Sequence, residues 1–134
     1  RRPPGPTPLP YTTPFRAYAE EIQATLGEEP FTTGVLSLGE DGHIASIFPN
    51  RSDSPGDVFA IDDAPKLPSL RISLSLNRLA MTYECVLLAI GEGKLDAIQA
   101  LLRKDPSLPA TLLAEQTPLL LVTDQPIGDH DDAL

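Results

Sequence analysis

Gly39-Glu40-Asp41-Gly42-His43 sets an imidazole two residues after a carboxylate, inside a turn bracketed by glycines. An unperturbed imidazole titrates near pH ~6.5, so it can accept and return a proton at neutral pH, and Asp41 or Glu40 could orient the ring or raise its basicity. The glycines permit backbone angles closed to other residues and let a ligand approach the main chain. Read from spacing alone, the same five residues also fit a capped turn with a surface histidine.

A second group, Gly91-Glu92-Gly93-Lys94, puts an ammonium at the expected start of a helix, where free amides and the macrodipole favour an anion. A small phosphate is the natural ligand. A nucleotide P-loop is excluded, because the Gly-x-x-x-x-Gly-Lys spacing is absent and Leu95 rather than Ser or Thr follows the lysine. A solvated lysine lying along its helix fits the same residues. Arg71 could grip phosphate through two parallel hydrogen bonds, or be an ordinary exposed strand arginine.

Other reactive side chains read as structural. Asn77 is expected to cap a helix, and Cys85 to be a small buried hydrophobe with no basic neighbour in sequence. His130 stands among Asp129, Asp131 and Asp132 in what reads as a solvated acidic tail. Neither paired cysteines nor a His-x-x-x-His spacing supports zinc.

These groups need elements to hold them. Phe15, Tyr18, Ile22 and Leu26 recur at helical spacing, predicting an amphipathic helix over 15–26 that Gly27 stops. Thr33 to Leu38 reads as a strand, the glycine turn follows, and His43 to Phe48 as a short helix ended by Pro49. From Leu70 to Leu76 the alternation is strict, with Leu70, Ile72, Leu74 and Leu76 expected in the core and Arg71, Ser73 and Ser75 wet. Glu84 to Ile90 is a strand leading to a helix with Leu95, Ile98, Leu101 and Leu102 on its apolar face, and Pro118 to Thr123 is one more strand. Strands interleaved with helices predict a layered α/β sheet, with ligands beyond the carboxyl ends of the strands, where both glycine loops lie. The proline-rich stretch Arg1 to Pro14 is expected to be an extended arm, residues 15–124 the domain, and 125–134 the acidic tail.

Composition narrows the partners. The 134 residues allow one domain or part of a larger one, and 41% hydrophobic residues can supply a core. A net charge of -9 repels a phosphate backbone, so general nucleic-acid binding is not expected. Apolar runs such as Val86 to Ile90 fall far short of the roughly 20 residues of a membrane span, no secretory signal is visible, and a single cysteine permits no internal disulfide. The expected compartment is the cytoplasm.

The run Ser37-Leu38-Gly39-Glu40-Asp41-Gly42-His43-Ile44-Ala45-Ser46-Ile47-Phe48-Pro49 resembles the 6-phosphogluconolactonase signature Gly-x-Gly-x-Asp-Gly-His-Thr-Ala-Ser-Leu-Phe-Pro. Ser37 and Ile44 depart from it, and neither removes a proton carrier. Pro65 to Pro68, Arg71 to Leu76, Val86 to Lys94 and Leu108-Pro109-Ala110 follow in the family's order, so the resemblance extends over residues 15 to about 124. The related glucosamine-6-phosphate isomerases share Asp-Gly-His-Ile-Ala but continue Phe-Asn-Glu-Pro, where this chain has Ser46-Ile47-Phe48-Pro49 and so lacks the carboxylate.

The resemblance implies a Rossmann-like three-layer α/β/α sheet of the sugar-phosphate isomerase/lactonase type, incomplete on its N-terminal side. The family's upstream Ser-Gly-Gly-like phosphate loop and Asp-Glu-Arg motif are not in this sequence. It implies hydrolysis of 6-phosphoglucono-1,5-lactone without metal or organic cofactor. His43 would be the proton carrier, Asp41 its orienter, Gly39 and Gly42 the turn beside the substrate, and Lys94 with Arg71 the phosphate ligands. The turn's amides are candidates for the oxyanion. With part of the phosphate site missing, these residues alone are expected to hydrolyse the ester poorly, to bind phosphosugar without turnover if the fold has lost catalysis, and to self-associate through an exposed edge and apolar face.

Overall fold

A computed structural model describes residues 9–51 and 56–128. Its elements in chain order are α1 (Leu9–Thr25), β1 (Phe31–Ser37), β2 (Val58–Ile61), β3 (Arg71–Leu74), α2 (Leu76–Ala80), β4 (Thr82–Ala89), a single 3-10 turn (Glu92–Lys94), α3 (Leu95–Leu102), α4 (Pro109–Ala114) and β5 (Leu119–Thr123). β4 is the centre of a three-stranded parallel sheet ordered β1-β4-β5, and β2 and β3 form a separate antiparallel ribbon. The expected α/β sheet is present, with its strands close to the apolar runs that predicted them.

The register explains the packing. Gly34 and Leu36 pair with Cys85 and Leu87, which pair onward with Leu119 and Leu121, so these residues share one face. That face meets Leu76 and Leu79 of α2, Ala97, Ile98 and Leu101 of α3, Ala110 and Leu113 of α4, and Leu38, Ile44, Ile47 and Leu108 from the loops, forming the core. On the opposite face Val35, Leu120 and Val122 are exposed, and so is Ile90 just past β4. Among the described residues α2, α3 and α4 therefore cover the sheet on one side.

Four local expectations change. The segment 43–48 is a tight reversal, not a helix. In a helix the Ile47 amide would donate to the His43 carbonyl, but the Gly39 amide occupies that carbonyl at 2.8 Å. Ile44 and Ile47 instead exchange backbone hydrogen bonds at 3.2 and 2.8 Å, with Ala45 at φ 50° in the turn. Both isoleucines are buried by this reversal.

The alternating segment also turns its faces around. Ser73 and Ser75 are buried, while Leu70 and Ile72 are only half-buried. Hydroxyls can be buried cheaply when satisfied, and these are: Ser73 Oγ accepts from the Ser46 amide and donates to Leu74 O, and Ser75 Oγ donates to Gly56 O. Ser75 Oγ also accepts the Arg78 amide, so Ser75 rather than Asn77 caps α2, and Leu76 begins that helix instead of ending the strand.

The helix expected from residue 15 starts at Leu9 and carries Pro14 inside it, so the stretch 9–14 is not an extended arm. Proline within it removes one intrahelical hydrogen bond. Gly27, at φ 57°, does end it. Lastly, the expected tail 125–134 is not free at its start: Ile127 packs on the core, and just before it Asp124 Oδ1 accepts the Gly91 amide at 2.9 Å. Residues 1–8 of the expected arm and His130 with its neighbouring aspartates lie outside the described residues.

Candidate active site

Because β1, β4 and β5 are parallel neighbours, the segments leaving their carboxyl ends emerge side by side. Leu38 to His43 follows β1, Ile90 to Lys94 follows β4, and Asp124 follows β5. The three are stitched together. Lys94 Nζ donates to the Leu38 carbonyl at 2.6 Å, the Glu40 carboxylate lies against Gly93, and Asp124 holds the Gly91 amide.

His43 is fixed on several sides. One carboxylate oxygen of Asp41 accepts both the His43 backbone amide at 3.1 Å and ring Nδ1 at 2.6 Å. The ring rests on Gly39 so closely that a Cβ there would stand 2.1 Å from Nδ1, which explains the glycine sterically. Gly42 has a different reason: its φ is 95°, and a Cβ would meet Leu108 Cδ2 at 2.3 Å. Phe48 completes the enclosure, its ring centroid 4.7 Å from that of His43.

Burial is the largest single influence on Asp41 and raises its pKa, but the hydrogen bonds from the His43 ring and amide, with the charges of His43 and Lys66, outweigh it. The net effect holds the carboxyl below the usual carboxylate range. With Nδ1 hydrogen-bonded to an ionised carboxylate, the neutral ring carries its proton on Nδ1 and leaves the Nε2 lone pair for chemistry.

Of the expected site residues, Gly39, Asp41, Gly42, His43 and Lys94 come together. Arg71 arrives differently: Nε donates to Pro68 O at 2.9 Å and Nη2 to Lys66 O and Leu67 O at 3.0 and 3.2 Å. The prongs expected to grip phosphate hold a loop, and the guanidinium reaches the site by lying 5.2 Å from the Phe48 centroid. Glu40, weighed as a partner for the imidazole, sits on Gly93 instead. Within the turn, the amides of Gly39, Gly42 and His43 donate to His43 O, Gly39 O and Asp41 Oδ1, so of the five turn amides those of Glu40 and Asp41 are left for an oxyanion among the described contacts.

Two site residues were not singled out from sequence. Lys66 contributes charge at Asp41, and its only signal was a basic residue between Pro65 and Pro68. Phe48 stood inside the signature but read only as the end of a short helix. Cys85 behaves as expected: it is buried, and burial pushes its thiol pKa up, partly countered by hydrogen bonds with Thr82 and Gly34. No group of three or more metal-ligating side chains occurs among the described residues, nor does any helix there have the length and apolarity to cross a membrane.

Residues 6–122 match the family described as glucosamine-6-phosphate isomerases/6-phosphogluconolactonase. A 6-phosphogluconolactonase of Borreliella burgdorferi is 41% identical over 97 residues, covering 67% of this chain and 41% of the relative. The human 6-phosphogluconolactonase is 32% identical over 117 residues, covering 81% and 45%. The crystal structure of 6-phosphogluconolactonase from Thermotoga maritima superposes with a TM-score of 0.72 at 21% identity, over 88% of this chain and 53% of that one. At that identity the superposition speaks to fold. The chain spans less than half the length of these two curated relatives.

Proposed function

The chain belongs to the glucosamine-6-phosphate isomerase/6-phosphogluconolactonase family, and from that premise we propose that it supplies the proton-transfer centre for hydrolysis of 6-phosphoglucono-1,5-lactone to 6-phosphogluconate, in the oxidative pentose phosphate pathway. The observation that carries the reading is the 2.6 Å contact between Asp41 Oδ1 and His43 Nδ1 in a loop at the carboxyl end of the sheet. Nε2 takes a proton from water as the water oxygen bonds to the lactone carbonyl carbon. When the intermediate collapses, the bond to the ring oxygen breaks and the imidazolium returns the proton to that oxygen. Asp41 stabilises the imidazolium between the two transfers and does not attack. The Glu40 and Asp41 amides are the turn's donors for the transient oxyanion.

Lys94 binds the substrate phosphate. Its ammonium has three donors and Leu38 O takes one. Both Lys94 and the His43 ring abut the Leu38–Gly39 segment, so anchoring the phosphate there orients the lactone toward the imidazole. Arg71 enters as a brace for the neighbouring loop.

An isomerase or deaminase reaction on an amino-sugar phosphate is disfavoured: where those sequences carry glutamate this chain has Phe48, whose ring lies against His43. A non-catalytic phosphosugar-binding role is the second reading, since Lys94, with Leu38 O taking one of its three donors, would hold a phosphate without any proton transfer at His43. We also propose a cytoplasmic setting, no nucleic-acid partner, and self-association through the uncovered side of the sheet.

Lactone hydrolysis measured above the spontaneous rate tests the first reading. His43→Asn is expected to lower it by at least about 100-fold, the lower bound for a lost acid–base group. Equal rates overturn the mechanism. Saturable 6-phosphogluconate binding without turnover supports the binding role.

A further inference from the structure

Phe48 is 1% exposed, and its ring meets the His43 imidazole at 4.7 Å between centroids, with the planes inclined by 36°. A single hydrogen bond at Nδ1 leaves an imidazole free to swing about that bond. Gly39 blocks one approach, and the Phe48 ring is the further surface the imidazole meets. Phe48 is itself braced by the Arg71 guanidinium, which three carbonyls of residues 66–68 keep in place. The aromatic thus contacts both a clamped cation and the proton carrier without any polar atom of its own.

We propose that Phe48 is a positioning residue for His43, holding the plane of the imidazole so that Nδ1 stays on Asp41 and Nε2 remains the proton-accepting atom, with Arg71 as its brace. This rests on the reading of His43 as the proton carrier. An aromatic contact suits the task because it fixes orientation while offering no hydrogen bond to compete with Asp41. A polar residue there would give the ring a second partner and a second orientation.

Imidazole nitrogen spectra of the full chain test this, since His43 and His130 are its two histidines and His130→Gln assigns them. In the unmodified chain, above the pH at which the ring protonates, His43 is expected to hold its proton on Nδ1 and to show cross-relaxation between its ring protons and those of Phe48. Phe48→Leu should lower the ratio of the Nδ1-protonated to the Nε2-protonated tautomer by about threefold to tenfold, the change that loss of an aromatic contact implies. An unchanged ratio in a folded Leu variant overturns the proposal. Absent cross-relaxation in the unmodified chain overturns it whether or not the variant folds. Lactonase turnover is not part of this readout: an inactive chain with the tautomer signature intact refutes the enzymatic reading and leaves the positioning role standing.

Discussion

Gly39 is the residue whose replacement separates the site from the fold most cleanly. A methyl group there would overlap the imidazole at 2.1 Å, so His43 must leave and its Asp41 contact must break. Gly39→Ala is expected to lower any turnover by about 100-fold, since a displacement of about 1 Å in a catalytic group has that effect. Ring spectra of His43 should report the lost contact alongside the kinetics. Asp41 makes a second prediction, of stability. Its pKa is depressed in the folded chain, so its stabilisation is present above the unfolded carboxylate value and disappears as pH falls through the lower folded value. Denaturation midpoints of the wild type should therefore drop across that acidic interval more steeply than those of Asp41→Asn; parallel curves would refute the coupling. The arrangement of this loop was legible because it is local: Gly39, Asp41, Gly42 and His43 lie within five residues, and the Asp41–His43 contact spans two. Arg71 was less legible for the opposite reason. A guanidinium that binds phosphate and one that binds carbonyls look alike until the loop at 66–68 is seen folded around it.

At the scale of elements, apolar runs located β1, β4 and β5 well because a strand in a packed sheet needs little more than continuous hydrophobicity. They failed where hydrogen bonding, not hydrophobicity, decided the outcome. Ser73 and Ser75 alternate with leucines as though facing water, yet each hydroxyl has partners inside the protein, and the Ser75 hydroxyl sets where α2 begins. Ser75→Ala removes the cap at Arg78 N and the donor to Gly56 O together. It is expected to destabilise the chain by about 0.5–2 kcal/mol, read from chemical denaturation, which is what loss of a helix cap costs, because the carbonyl of the exposed Gly56 can turn to water. A loss below about 0.5 kcal/mol, the size of an ordinary surface substitution, would show that water replaces both bonds. The false helix at 43–48 has the same origin. Its apolar spacing fits either a helix or a reversal, and the choice fell to Gly39, whose amide claims the carbonyl the helix required.

A parallel sheet is normally covered on both faces, because its crossover helices pack there. In this molecule β1, β4 and β5 bury Leu36, Cys85, Leu87 and Leu119 beneath helices while Val35, Ile90, Leu120 and Val122 meet solvent. Val35 and Leu120 are 65% and 62% exposed on strands that flank β4, an apolar pattern that ordinary surfaces scatter rather than align. Two forces then oppose each other between copies: burial of that face favours contact, and a net charge of -9 resists it. Salt screens the second with a Debye length falling from about 10 Å at 0.1 M to about 3 Å at 1 M, without weakening the first. Sedimentation of the chain should consequently show association that rises with protein concentration and with salt. Leu120→Lys should reduce that association and leave unfolding free energy within about 0.5 kcal/mol, since the side chain already faces water. Association that weakens as salt is added would assign the contact to charge pairs rather than to this face. Association that survives Leu120→Lys unchanged would move it to the outer edges of β1 and β5, unpaired among the described residues, where open backbone groups could accept another strand.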